Sequence, residues 1–474
     1  MHRDDHFIDP RGRNASQMRD LGAKFVDALV GALATAADRP PLAIPSAKPF
    51  PDAETLPQEP VSVDRLLADF QTLIVPGAMN AAHPGYVGHM DTLAAAVPIF
   101  AEMLAAGLNN NPLFFEQSPT LTRLEIELTR GFARRFGLPE GSGGSLTTAG
   151  TVANLTAMLV AARRARPELA EQGYDSTRPL AAFVSELSHL SFEKAASTLG
   201  LGRRRLYRIR TDSSFRMDPA ALVEAISAAR AKGEEPFFVG ATAGTTVTGS
   251  IDPLPELAAV CEREKLWFHV DGAYGGTLIL SDRARTKLAG IERADSVTFN
   301  PQKWMYVPKA CAMILFRDLG LARNVLRTPA PYAPAHPGVD VNLGDHAVQG
   351  TRHADVLKLW FGVRSMGLGY LGALVDTQIE QARRFAEMVA AEPSLELVAV
   401  PAMNIVCFGA KGGQAEQGAL NIAVHRRIAA DRKTWVSCPI FKGGRVLRAL
   451  FLNPYTDDTV LRSIVESAKS ALRG

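Results

Sequence analysis

The chain has 474 residues, enough for a large buried core shared between more than one domain. Apolar residues make up 47% and charged residues 21%, the balance of a soluble globular protein; a net charge of +3 gives no electrostatic basis for binding nucleic acid or an anionic membrane. No apolar run approaches the roughly 20 residues that span a bilayer, and the polar opening MHRDDHFIDPRGRN does not read as a secretory signal. The four cysteines, Cys261, Cys311, Cys407 and Cys438, have no CxxC or metal spacing and read as buried thiols in a reducing cytoplasm.

Taken in order, the chain opens with one amphipathic helix over 15–36 and a proline-rich connector. A helix on such a tether needs a surface for its apolar face, and a partner subunit would supply one. A second helix near 63–74 leads into the Gly/His-rich loop HPGYVGHMD at 83–91, and a helical stretch carries three asparagines at 109–111. In SLTTAGTVANLTAML a Thr/Gly turn precedes a helix. From about 180 to 300 strands alternate with helices. The strands are 181–185, 205–209, 237–242, 266–271 and 296–299; the helices include SFEKAAST, one capped by Asp218 with Pro219 behind it, and one opened by Asp252 and Pro253. That alternation predicts a mostly parallel sheet covered on both faces. The stretch 327–352 is rich in Pro and Gly without periodicity and reads as a lid. Two helices, 353–366 and 370–391, precede a smaller α/β unit with strands in NIVCF, TWVSC and RVLRALFL and a last helix from Thr456.

Ligands of such sheets sit off the carboxyl ends of the strands, and His189, Thr246, Asp271 and Lys303 each follow a predicted strand. An aspartate and a lysine at strand ends are, taken alone, an ordinary salt bridge. Together they are also what a pyridine-aldehyde cofactor needs: the lysine condenses with the aldehyde as a Schiff base, and the carboxylate keeps the ring nitrogen protonated. The turn 147–151 opens a helix, where free N–H groups and the dipole favour a phosphate. It is neither a Walker A loop nor a dinucleotide fingerprint, and taken alone it is also a common helix cap. His189 is placed to stack on a planar ring, and Thr245 and Thr246 to donate to an oxygen of cofactor or substrate.

The runs HLSFEKA, ATAGTTVTGSID, FHVDGAYGG and FNPQKWMYVP, in that order, together resemble the group II pyridoxal-5′-phosphate-dependent amino-acid decarboxylases, which act on aromatic amino acids, glutamate or cysteine sulfinate. The likeness extends from the HPGYVGHM loop through GDHAVQGTRHAD to RVLRALFLNP. It implies an α/β, fold-type I, aspartate-aminotransferase-like large domain and a homodimer with the active site at the subunit interface. The division it implies is a helical arm over 1–75, a pyridoxal-phosphate domain over 76–370 and a small α/β domain over 371–474.

The resemblance implies Lys303 as the Schiff-base lysine, Asp271 as partner of the pyridinium nitrogen and His189 as the stacking histidine. Gly150, Thr151 and Asn300 hold the phosphate, and Thr246 and Ala273 line the cofactor. His89 and Arg448 face the substrate, an acidic or aromatic amino acid. No metal is called for.

Three positions depart from the family pattern. Gln302 stands where His is common, with a donor role expected; Val152 replaces the acidic or polar residue common after the phosphate turn; and the place of a lid tyrosine that protonates Cα, counted back from Arg352 and His353, falls near Val341, with no tyrosine there. Tyr332, His336 or His346 are the candidates to replace that acid. Without one, the expected outcome is oxidation to an aldehyde instead of an amine. A pyridoxal-phosphate carbon–carbon lyase is the rival enzyme reading and an inactive scaffold the rival outside enzymes; Lys303, Asp271 and His189 together argue against a scaffold, which needs none of them.

Overall fold

Short runs of fully buried residues, separated by helices, assemble the central sheet. The computed structural model describes residues 6–42, 56–328, 341–412 and 414–473, with the backbone alone at 414 and 415. The strands are β1 (Gly143–Thr147), β2 (Leu180–Ser185), β3 (Leu206–Ile209), β4 (Glu235–Thr242), β5 (Trp267–Gly272), β6 (Ser296–Phe299) and β7 (Ala312–Phe316). Their spatial order is β1-β7-β6-β5-β4-β2-β3, parallel except that β7 runs against both neighbours. This is the expected α/β, fold-type I sheet. Both faces are covered, which is why β2 alternates between two cores: Ala181 and Phe183 pack on one side with Leu222 and Ile226, Ala182 and Val184 on the other with Ala157 and Phe192.

Strands β1 and β7 were not among the sequence expectations. GGSLT has the glycines of a turn, yet β1 is wholly buried; a side chain on Gly144 would lie 1.8 Å from the Ile314 carbonyl of β7, so the close pairing requires glycine. Asp218 caps the Pro219–Ala231 helix as expected, accepting from the Ala220 and Ala221 N–H groups at 2.8 and 3.3 Å. Asp252 does not cap its helix. Its buried carboxylate accepts from the Met217 and Thr242 N–H groups, both at 2.7 Å, tying the exit of β4 to the turn before the Asp218 cap.

The two helices expected over 353–391 are the halves of one element, Val356–Ala391, broken where Gly367 takes φ 72°. Beyond it β8 (Leu395–Leu397), β9 (Ile405–Ala410) and β12 (Leu447–Leu450) form an antiparallel sheet, and β10 (Ile440–Phe441) pairs with β11 (Gly444–Arg445) in a hairpin. TWVSC is not a strand but two isolated bridges, Trp435 to Tyr86 and Ser437 to Arg448. The first clips the 83–91 loop onto this sheet: the Val87 N–H reaches the Trp435 carbonyl at 3.0 Å and the Leu450 N–H reaches the Val87 carbonyl at 2.8 Å. Val87 is accordingly buried in the C-terminal core.

Near the N-terminus lie the helices Ala15–Ala34, Val63–Asp69 and Ala96–Leu108. They leave Phe25, Val30, Leu66, Met103, Leu104 and Leu108 exposed. No described helix is long and apolar enough to cross a membrane.

Candidate active site

Parallel pairing of β5 with β6 sets Asp271 opposite Thr298 and Gly272 opposite Phe299. One residue later the chain enters the four-residue helix Pro301–Trp304, which carries Lys303 to the carboxyl end of the sheet beside Asp271. Burial holds the Lys303 ammonium below the ordinary lysine value, against the Asp271 and Asp91 carboxylates. Burial likewise lowers the His189 pKa; the Asp271 carboxylate opposes the shift, and Lys303 and Lys194 add to it. The Asp271 charge therefore bears on both Lys303 and His189. His189 is oriented by the Ser191 N–H, which donates to its Nδ1 at 3.2 Å. The Lys303 Nζ lies 6.0 Å from the centre of the Tyr274 ring, itself stacked on Trp304 at 5.2 Å.

Asp271 is held from beneath. Its Oδ1 accepts from the Ala273 N–H at 3.1 Å and its Oδ2 from the Asn154 Nδ2 at 2.8 Å. An ionised carboxylate only accepts, so the Asn154 amide nitrogen must face it. The Asn154 Oδ1 then accepts from the Thr298 hydroxyl at 2.6 Å and the His269 Nε2 at 3.0 Å. From the far end, the Trp267 indole N–H, which only donates, reaches Ser296 Oγ at 2.8 Å, and Ser296 Oγ lies 2.8 Å from His269 Nδ1. Both ends require the same polarity: Ser296 donates to Nδ1, and a neutral His269 donates from Nε2. Full burial, which pushes the His269 pKa down to about 4, keeps it neutral.

At the phosphate turn, the helix Gly150–Ala165 begins beside Asn300 and Ala273. A side chain on Gly150 would sit 3.0 Å from the Asn300 amide and 3.4 Å from the Ala273 methyl, so glycine keeps open the space above the helix N-terminus. The Asn300 Oδ1 is buried without a partner among the described residues, and the amide's two ends interchange by a flip. Thr151 is half-buried in the first helical turn. Outside it, Thr148 and Gln349 exchange two hydrogen bonds of 3.2 Å. Thr246 is exposed, whereas the Thr245 hydroxyl is engaged with Thr248 and Ser250 at 2.7 and 2.8 Å.

The mouth departs from expectation. Arg448 is buried and its guanidinium is occupied: Nε donates to Ser437 Oγ at 3.0 Å, Nη1 to the Thr246 carbonyl, and Nη2 to the Gly88 carbonyl at 2.8 Å and His89 Nδ1 at 3.0 Å. It clamps β12, the exit of β4 and the 83–91 loop together, so a carboxylate would have to displace these partners to reach it. Exposed His89 leans on Trp435 at 4.9 Å. Asp91 pairs with Lys309 at 2.5 Å. Gln302 Oε1 accepts from the Cys311 N–H, alongside the backbone bond from the Gln302 N–H to the Cys311 carbonyl, which leaves the Nε2 donors of the amide for the expected donor role.

Comparison with known proteins decides the family. Residues 47–411 match the pyridoxal-dependent decarboxylase conserved domain. The chain belongs to the pyridoxal-dependent decarboxylases. It is 31% identical over 339 residues to the acidic amino acid decarboxylase GADL1 of Xenopus tropicalis, a match covering 71% of this chain and 66% of that relative's length. Among solved structures it resembles Oryza sativa TDC with PLP and tryptamine at TM-score 0.90 and 26% identity, covering 98% and 99% of the two chains. It also resembles Rhodiola rosea 4-hydroxyphenylacetaldehyde synthase at TM-score 0.87 and 26% identity, covering 96% and 98%.

The cofactor of this decarboxylase is pyridoxal 5′-phosphate, and the residues present fit it. A flip of the orphaned Asn300 amide offers an N–H beside the helix N-terminus that Gly150 leaves open. The Asp271 carboxyl group and the Lys303 amine, whose pKa burial lowers, stand at the other end. Asn154, His269, Ser296, Gln349 and Lys309 were not singled out in the sequence. One signal was present for Asn154, which follows Gly150 by four residues and so shares its helix face. Of the candidates for a Cα acid, Tyr332 and His336 lie outside the described residues. His346 is buried beside Gly144, near the start of β1 and away from the strand ends, which removes it from the mouth.

Proposed function

We propose that the protein decarboxylates an L-amino acid with an acidic or aromatic side chain, releasing the amine and CO₂, with pyridoxal phosphate carried on the Lys303 amine. The observation that carries this reading is the anchored Asp271 carboxylate, whose charge bears on both Lys303 and His189. When bound, the cofactor supplies a protonated ring that accepts the electron pair left by CO₂.

This chain's residues do the rest. Asp271 holds the proton on the ring nitrogen. Burial lowers the Lys303 pKa, which favours the neutral, nucleophilic amine relative to an exposed lysine. His189, held by Ser191, would stack on the ring; Gly150, Thr151 and Asn300 would hold the phosphate, and Thr246 and Ala273 would border the ring. The exposed apolar residues of the N-terminal helices support a cytoplasmic homodimer whose arm, over 1–75, covers the partner and whose site is completed at the interface. The large domain runs over 76–370 and the small one over 371–474.

An amino-acid screen with CO₂ detection tests the reaction, and Lys303→Ala tests its lysine. Turnover of no amino acid by cofactor-loaded enzyme overturns the reading. Val341 in place of a tyrosine, together with the likeness to an aldehyde synthase, favours a second reading: amino acid, O₂ and water converted to aldehyde, CO₂, ammonia and hydrogen peroxide. Product analysis under air separates the two, because clean amine without peroxide eliminates the oxidative route.

A further inference from the structure

We infer that the Lys309–Asp91 ion pair selects the substrate side chain, the Lys309 ammonium receiving the carboxylate of an acidic amino acid. The inference deepens the decarboxylase reading and rests on it. Lys309 lies six residues beyond Lys303, and the two segments of the mouth are stitched together where the Ala95 N–H reaches the Tyr306 carbonyl at 2.8 Å. Asp91 sits on one segment and Lys309 on the other, so their 2.5 Å contact closes the mouth across it.

Charge at the mouth is otherwise spoken for. The Arg448 guanidinium is buried and spread over Ser437, Thr246, Gly88 and His89. The His89 Nδ1 is taken by the Arg448 guanidinium at 3.0 Å. Lys309 differs from both. Its side chain is 58% exposed, against 30% for Asp91, and an ammonium has three donors of which Asp91 takes one. The ammonium is therefore the more accessible of the two charges. A side-chain carboxylate replaces water on Lys309 with a charge-assisted hydrogen bond. An aromatic ring there would desolvate both charges and return nothing to either. The charges of Asp91 and Lys309 both bear on Lys303, so the pair lies within electrostatic reach of the chemistry.

The test uses cofactor-loaded full-length enzyme and the variants Lys309→Met, which keeps the stem and removes the charge, and Asp91→Asn, which releases the ammonium. For L-aspartate and L-glutamate, Lys309→Met is expected to raise KM on the order of 10- to 100-fold with kcat within a few-fold, the size of a lost charge-assisted contact. Asp91→Asn is expected to lower that KM, and KM for L-phenylalanine is expected to rise in neither variant.

A binding readout stands apart from turnover. Glutarate, a dicarboxylate without an amine, is titrated against the absorption of the bound cofactor; wild type should bind it and Lys309→Met should bind it at least about tenfold more weakly. An unchanged ratio of acidic to aromatic KM in Lys309→Met overturns the inference. So does a shift of KM in the same direction in both variants, or equal glutarate binding by wild type and Lys309→Met, including none by either. Loss of the decarboxylase reading has a different signature, wild type releasing CO₂ from no amino acid, and the glutarate titration still judges the ion pair in that case.

Discussion

At the floor of the site Asp271 is 5% exposed and both its oxygens accept from N–H groups, whereas at the mouth Asp91 is 30% exposed at its side chain and meets one ammonium. The floor carboxylate is held by a buried relay whose every donor and acceptor is assigned, from the Trp267 indole through Ser296, His269 and Asn154. A relay of that kind admits one arrangement, because reversing any member strands a buried polar atom at about 1–3 kcal/mol. The mouth pair is held by water-exposed charge and can exchange partners at little cost. Rigidity thus sits where the ring would be held, and adaptability where side chains of different chemistry enter.

Breaking the floor has the largest consequence. Lys303→Ala is expected to abolish covalent retention of the cofactor and to lower kcat by at least about 10³-fold, read by the visible absorption of purified enzyme and by CO₂ release. Asp271→Asn comes next, with a loss on the order of 10²–10⁴-fold in kcat while the cofactor remains attached to the lysine. Asn154→Ala removes the donor to Asp271 and the acceptor shared by His269 Nε2 and the Thr298 hydroxyl, leaving those two only their mutual 3.5 Å contact. It is expected to lower kcat less than Asp271→Asn does and to cost stability of about 1–3 kcal/mol, seen in the unfolding midpoint.

The floor also has a pH signature with a definite sign. The folded His269 pKa is lowered to about 4 from an ordinary value of 6.5, so the unfolded chain binds the extra proton between those values. The stability from keeping His269 neutral is fully present above pH 6.5 and is lost as pH falls toward 4, up to about 3 kcal/mol. Asp252, raised to about 6 by burial, has the opposite sign, contributing stability below its ordinary value that is lost as pH rises through 6. His269→Gln is expected to flatten the decline on the acid side, and Asp252→Asn to steepen it, in unfolding midpoints measured from pH 4 to 7. The smallest effect belongs to the mouth: Arg448→Lys keeps the charge but cannot reach Ser437, Thr246 and Gly88 at once, so KM should rise several-fold with little change in kcat. A large fall in kcat there would erase the contrast between floor and mouth.

Much of this was legible from order along the chain. A buried parallel strand is a short apolar run, and the residue after it is at the ligand edge, which is why His189, Asp271 and Lys303 could be named from spacing. The Asp218 cap and the break near Gly367 were visible for equally local reasons. Asn154 and His269 were not, because an asparagine inside a helix and a histidine inside a strand look like ordinary packing until three other elements close around them. TWVSC has strand composition, but its backbone hydrogen bonds go to Gly85, Val87 and Arg448 and extend no ladder.

The order of residues alone determined the alternation of elements, the acid and the amine at neighbouring strand ends, and the glycine at the phosphate turn, since each depends on composition within a few positions. Tertiary structure alone decided that β7 runs against its neighbours, that Asn154 holds Asp271, and that Arg448 spends its donors on two backbone carbonyls, a serine and a histidine while Lys309 is held by Asp91 alone among the described residues. The physical reason is that hydrogen-bond partners in a folded chain are chosen by proximity in space, and proximity between residues 88, 246, 437 and 448 is written in no local stretch.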